Sequence, residues 1–110
     1  MKHILFDLNK CEFDLLNDET FVKDSLVEAA KASKCEIIKV EIHKFEPQGV
    51  TGYALLAESH ISIHTWPEKG IAKCDIFTCG RDSNPLAAIE YLKIRFQTIH
   101  VNRWTCDRSL

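Results

Sequence analysis

From residue 36 to residue 78 the chain offers one strand pattern after another, with no helical stretch between them. That run limits the fold more than any other feature, because parallel strands need a crossover, usually helical, between neighbours. Residues 36–45 alternate, Ile38, Val40 and Ile42 against Lys39, Glu41 and His43, which predicts a strand buried on one face. Phe45 follows out of register with that set, and Pro47-Gln48-Gly49 is a turn signal. Residues 50–57 and 59–65 are apolar enough for further strands, yet no Gly, Asn-Gly or Asp-Gly marks a hairpin at Glu58 and Ser59. The stretch is therefore either one long bent strand or two strands around an unusual junction. Pro67-Glu68-Lys69-Gly70 is a second turn, leading into a strand over 71–78.

Helical patterns lie on either side of this run. A first strand over 3–8 places Ile4, Phe6 and Leu8 on one face, and residues 9–17 form a connecting loop. Asn17, Asp18 and Thr20 offer N-caps for a helix over 19–33. Its inward positions shrink from Phe21 and Val22 to Ala29, Ala30 and Ser33, so it can approach a sheet closely. Asn84 and Pro85 suit the N-cap and first position of a second helix, with Leu86, Ile89, Leu92 and Phe96 as its stripe. Residues 98–103 predict a short last strand, and 104–110 a tail without periodicity. The order β-α-β-β-β-α-β, with one more strand if 50–65 divides, predicts an α+β fold in a single domain, 1–110. Its form is a two-layer α/β sandwich, a mostly antiparallel sheet with two helices on one face. The opposite face must be wet or be buried against a second copy.

Charge and cysteine usage exclude several classes. A net charge of -2 with scattered Lys and Arg gives no footprint for nucleic acid. No run approaches the roughly 18 apolar residues of a membrane span, and the brief apolar start meets Asp7, unlike a signal peptide. Five cysteines, an odd number with no Cys-x-x-Cys, predict a reducing, cytoplasmic setting and no structural metal. No Gly-rich fingerprint for a dinucleotide occurs either.

Reactive side chains sit inside the strand run: Glu58-Ser59-His60, then His64-Thr65-Trp66-Pro67-Glu68, then Asp75-Ile76-Phe77-Thr78-Cys79-Gly80. Together with Lys44-Phe45, Pro47-Gln48-Gly49-Val50-Thr51-Gly52 and Leu15-Leu16-Asn17-Asp18, this combination closely resembles the prokaryotic S-adenosylmethionine decarboxylase proenzymes. The similarity covers nearly the whole chain, and it is the combination at these spacings that is specific. The resemblance implies self-cleavage between Glu58 and Ser59, giving a beta chain 1–58 and an alpha chain 59–110. Ser59 would become a covalent pyruvoyl group, the pyruvate cofactor, which forms a Schiff base with S-adenosylmethionine. It also implies a homodimer of cleaved protomers, with sites near the subunit boundary and no bound metal.

The same resemblance assigns the remaining roles. His64 transfers protons during processing, a task suited to imidazole; otherwise it is a polar residue on a wet strand face. Five residues separate it from Ser59, so in a regular strand the two face opposite ways, and the backbone near Glu58 should be irregular. Thr51 supports processing in this reading, or is simply a buried threonine. Cys79 returns a proton to the product carbon, whereas most free cysteines are core residues. Phe45 and Trp66 flank the adenine and Glu68 holds the ribose hydroxyls, or they are two packing aromatics and a surface glutamate. Two alternatives stand beside the decarboxylation of S-adenosylmethionine for spermidine synthesis: decarboxylation of arginine on the same scaffold, and an unprocessed paralogue acting as a binding partner.

Overall fold

The computed structural model describes residues 1–79 and 82–108. Gly80 and Arg81, which end the Phe-Thr-Cys-Gly run and begin the approach to the second helix, lie outside the described residues, as do Ser109 and Leu110 of the expected tail. The elements are β1 (Lys2–Asn9), α1 (Phe13–Leu16), α2 (Glu19–Ala32), β2 (Ile37–Lys44), β3 (Val50–Leu56), β4 (Ser59–Trp66), β5 (Ile71–Thr78), α3 (Pro85–Arg95) and β6 (His100–Asp107). The strands form one sheet in the order β2-β3-β4-β5-β1-β6, and every neighbouring pair is antiparallel. The helices cover one face, so the predicted two-layer α+β sandwich is the observed architecture. Among the described residues no helix is long and apolar enough to cross a membrane.

Strand alternation decides which side chains meet the helices. Ile4, Phe6 and Leu8 of β1, Val50, Ala54 and Leu56 of β3, Ile61 and Ile63 of β4, and Ala72, Cys74 and Ile76 of β5 are all buried. They pack under Val22, Leu26, Ala29 and Ala30 of α2 and Ala88, Ile89 and Leu92 of α3. Asp18 caps α2, its carboxylate accepting from Phe21 N–H at 3.0 Å. Asn84 caps α3, accepting from Ala87 N–H at 3.2 Å, with Pro85 in the first turn as predicted. The other face of the sheet is uncovered. It exposes Leu5, Tyr53, Leu55, Trp66 and Trp104.

Of the two alternatives for residues 50–65 the structure has two strands, whereas other expectations do change. The loop over 9–17 contains the short helix α1, through which Leu16 reaches the core. Ile38 is not on the buried face: the β2–β3 register shifts between Ile37 and Lys39, and this bulge turns Ile38 out to 62% exposure. Leu86 is exposed, because the inward face of α3 runs through Ala88, Ile89 and Leu92 instead. The last strand is eight residues long and takes in Trp104, Thr105, Cys106 and Asp107 from the stretch expected to be a tail. β6 is an edge strand with almost every side chain exposed, so no burial alternation was imposed on its sequence.

Candidate active site

β3 turns into β4 through two residues only, Ala57 and Glu58, since Leu56 pairs directly with Ser59. Glu58 takes φ +60°, the left-handed region that a non-glycine residue enters at a cost of roughly 1–2 kcal/mol. The irregular backbone expected at Glu58 is present. Ser59, 8% exposed, opens β4 on the helix-facing side. Cys79 follows β5 at the same end of the sheet. Its Sγ donates to the Glu58 carbonyl oxygen at 2.9 Å and to the Glu58 carboxylate at 3.4 Å, and lies 4.0 Å from Ser59 Oγ. A thiol has one hydrogen, so the two Glu58 oxygens share it or take it in turn. Cys79 also borders a cavity of about 510 Å³ between the start of α3 and the ends of β1, β5 and β6.

The other expected residues gather at the far end of β4. Thr51 and His64 are cross-strand partners, and Thr51 Oγ1 lies 3.1 Å from His64 Nδ1 in a hydrogen bond. Thr51 is half-buried on the uncovered face rather than in the core. The His64 and Trp66 rings are 6.5 Å apart, and Phe45 stands edge-on to His43 at 4.5 Å. Phe45, Thr51, His64, Trp66 and Glu68 line one cavity of about 350 Å³. Beneath it the buried Thr65 Oγ1 donates to Leu16 O and accepts from Val50 N–H, each at 2.8 Å, which secures the floor.

The expected residues thus form two groups, and one chain does not unite them. β4 keeps a regular alternation from Ser59 to Trp66, placing Ser59 toward the helices and His64 on the uncovered face. At about 3.3 Å per residue, five residues put roughly 16 Å between their backbones. The irregular turn precedes Ser59 and does nothing to close that gap.

A third group joins His60 and Asp75 of the motifs to Ser62 and His3, which lie outside them. On the uncovered face, Asp75 Oδ2 accepts from His3 Nε2 at 2.7 Å and from His60 Nε2 at 2.8 Å, while Ser62 Oγ bonds Oδ1. Burial raises the Asp75 pKa, but hydrogen bonds from Ser62, His60 and His3 outweigh it and hold the carboxyl below its ordinary value. This is also the one set among the described residues whose ligand-type atoms converge, within 4.8 Å of one another. The available signal was parity: His60, Ser62 and Asp75 fall on the outward positions of two strands. By contrast, burial pushes the Cys11 thiol up to about 11 and that of Cys74 well above its ordinary value, as suits core residues.

Comparison with known proteins shows the family and the fold. The family model described as S-adenosylmethionine decarboxylase matches residues 2–109. The S-adenosylmethionine decarboxylase proenzyme of Pelotomaculum thermopropionicum is 45% identical over 109 residues, 99% of this chain and 86% of that protein. That of Prochlorococcus marinus is 50% identical over 92 residues, 84% of this chain and 74% of that protein. The crystal structure of the adenosylmethionine decarboxylase from Aquifex aeolicus superposes with a TM-score of 0.91 at 34% identity, covering 99% of this chain and 90% of that one. With the family match, the sequence identity and the fold in agreement, the chain belongs to the S-adenosylmethionine decarboxylase family.

Proposed function

We propose that this decarboxylase makes its own cofactor by cutting between Glu58 and Ser59, and that each complete site is shared by two copies of the chain. The activity is decarboxylation of S-adenosylmethionine, whose product serves polyamine synthesis. One observation carries the cleavage reading: the Cys79 thiol hydrogen-bonds the carbonyl oxygen of a strained residue whose neighbour is a serine. Attack of Ser59 Oγ on that carbonyl carbon pushes charge onto the oxygen, where the thiol proton already points. Cleavage of the C–N bond leaves an ester. Removal of the residue 59 Cα proton breaks its Cβ–Oγ bond and expels the main-chain carboxylate of Glu58 as leaving group, and hydrolysis of the resulting dehydroalanine gives the pyruvoyl group and releases ammonia. These residues fit a pyruvoyl group at position 59, which would supply an electron sink for loss of carbon dioxide. Cys79 then stands near enough to return a proton to the substrate carbon.

The proton transfers need a base, and His64 of the same chain is at the wrong end of β4. A two-fold axis between two uncovered faces, running across the strands near the middle of β4, corrects this. It lays the Ser59 end of one sheet over the His64 end of the other, about 10 Å away. His64 of the partner subunit, steered through Nδ1 by Thr51, then approaches the Glu58–Ser59 peptide from the uncovered face, opposite the Ser59 side chain, and the partner's Phe45, Trp66 and Glu68 complete the pocket on that side. The aromatic faces suit adenine and a sulfonium cation, and the carboxylate suits the ribose hydroxyls. The exposed Leu5, Tyr53, Leu55 and Trp66 supply an apolar surface for such a pairing.

Complementation between variants tests this reading. Ser59→Ala and His64→Ala chains should each remain whole at 12.6 kDa when made alone. Made together, the His64→Ala chain should be cut, because its partner supplies the histidine, and intact mass should show the two fragments. Absence of fragments from the mixture, with the wild type cut normally, would return His64 to its own chain. A wild-type chain that stays whole would end the cleavage reading. Release of carbon dioxide from S-adenosylmethionine rather than arginine checks the substrate.

A further inference from the structure

We infer that Asp75 is a positioning residue that keeps the new end of the alpha chain in register with Cys79 after cutting, acting through His60 with His3 and Ser62 as braces. The inference rests on the cleavage reading above. Before the cut, Ser59 is held from two sides: by the Ala57–Glu58 turn and by its pairing with Leu56. The β4–β5 register begins one residue later, at His60 opposite Phe77, so Ser59 has no partner on the strand that leads to Cys79. Cutting removes the turn and turns residue 59 into a chain end, and chain ends fray unless tied down. The separation of residue 59 from Cys79 then depends on how firmly His60 stays opposite Phe77.

The Asp75 network is placed for that task. His60 does not bond across to its own pair but diagonally, to a carboxylate two residues back along β5, at 2.8 Å. A diagonal tie resists sliding of β4 along β5, which a direct cross-strand bond does less well. Ser62, directly opposite Asp75, bonds the second oxygen. His3, from β1 on the other side of β5, donates to the first oxygen at 2.7 Å, so the carboxylate cannot swing after His60. An ionised carboxylate only accepts, so both Nε2 atoms carry hydrogens and both bonds are charge-assisted. The Phe77 ring packs beside both imidazoles, 5.5 Å from His3 and 6.1 Å from His60. All of this lies on the face opposite the Ser59 side chain, so it acts on residue 59 only through the backbone.

Hydrogen exchange over residues 60–63 tests the clamp, measured in the cut enzyme and in the uncut Ser59→Ala chain, each with and without Asp75→Asn. Losing a charged hydrogen bond predicts about tenfold faster exchange in the cut protein. Little change should appear in the uncut background, where the turn still holds the strand. In the cut enzyme kcat should fall about tenfold while KM stays within about twofold. Equal acceleration in both backgrounds would make Asp75 a general structural residue and overturn the inference, as would an unchanged kcat. Failure of Asp75→Asn to cut at all would also overturn it, by placing Asp75 in the cutting step. A wild-type chain that stays whole would overturn both this and the cleavage reading, and is distinguished by mass alone. Should Asp75→Asn not fold, His60→Gln, which keeps a donor, should preserve kcat relative to His60→Leu, and equal losses would reject the clamp.

Discussion

Glu58 holds a backbone conformation that a glycine would adopt without cost, and it does so beside the bond proposed to break. The strain is about 1 kcal/mol, too small to drive cutting but enough to favour a distorted carbonyl over a relaxed one. Glu58→Ala keeps the strain and removes the carboxylate, while Glu58→Gly removes both. The glycine variant should therefore be cut more slowly than the alanine variant. In a Ser59→Ala background it should also be more stable by about 1 kcal/mol in denaturant unfolding. Equal cutting half-times for the two would show that strain has no part. Five cysteines are equivalent as letters, but packing separates them: Cys11 and Cys74 are buried, whereas Cys79 alone faces the Glu58 carbonyl.

Among the elements, α2 and β3 show how close approach is written into a strand. A Cβ at Gly52 would come within 2.4 Å of Ile42 Cδ1 and 3.2 Å of Leu26 Cδ1, so β3 meets α2 there without a side chain between them. Ala29 and Ala30 of α2, both fully buried, are the small partners expected from the narrowing stripe. Gly52→Ala should destabilise the fold by about 1–3 kcal/mol through overpacking, read as a lower denaturation midpoint. An unchanged midpoint would mean that Ile42, half-buried near the sheet edge, gives way freely. Helix ends were legible because Asp18 and Asn84 act through neighbours in sequence. The bulge at Ile38 was not, since it arises from register against β3 and no local residue marks it.

For the whole molecule, the uncovered sheet face is the feature that a single chain cannot account for. Leu5 is 49% exposed on β1, a strand paired on both sides, where a soluble monomer would place a polar residue. Leu5→Glu should leave the protomer folded, because the side chain does not touch the helix-facing core. It should also yield a monomer in sedimentation and, with the site divided between copies, a chain that stays whole. A monomer that still cuts itself would reject the shared site, and a persistent dimer would place the interface elsewhere.

By itself the sequence determined the layers, the capped helices and the residues able to do chemistry. Those signals are local: alternation, caps, turn residues and short motifs act over a few positions. It also exposed the conflict between Ser59 and His64, because strand parity is countable. Only the tertiary structure decided that the conflict is real, since β4 stays regular after the turn and holds the two residues on opposite faces. It likewise decided that Cys79 bonds the Glu58 carbonyl and that His3, His60 and Ser62 share Asp75. Such contacts depend on which residues stand opposite across strands up to 72 positions apart in the chain, and no local pattern encodes that pairing.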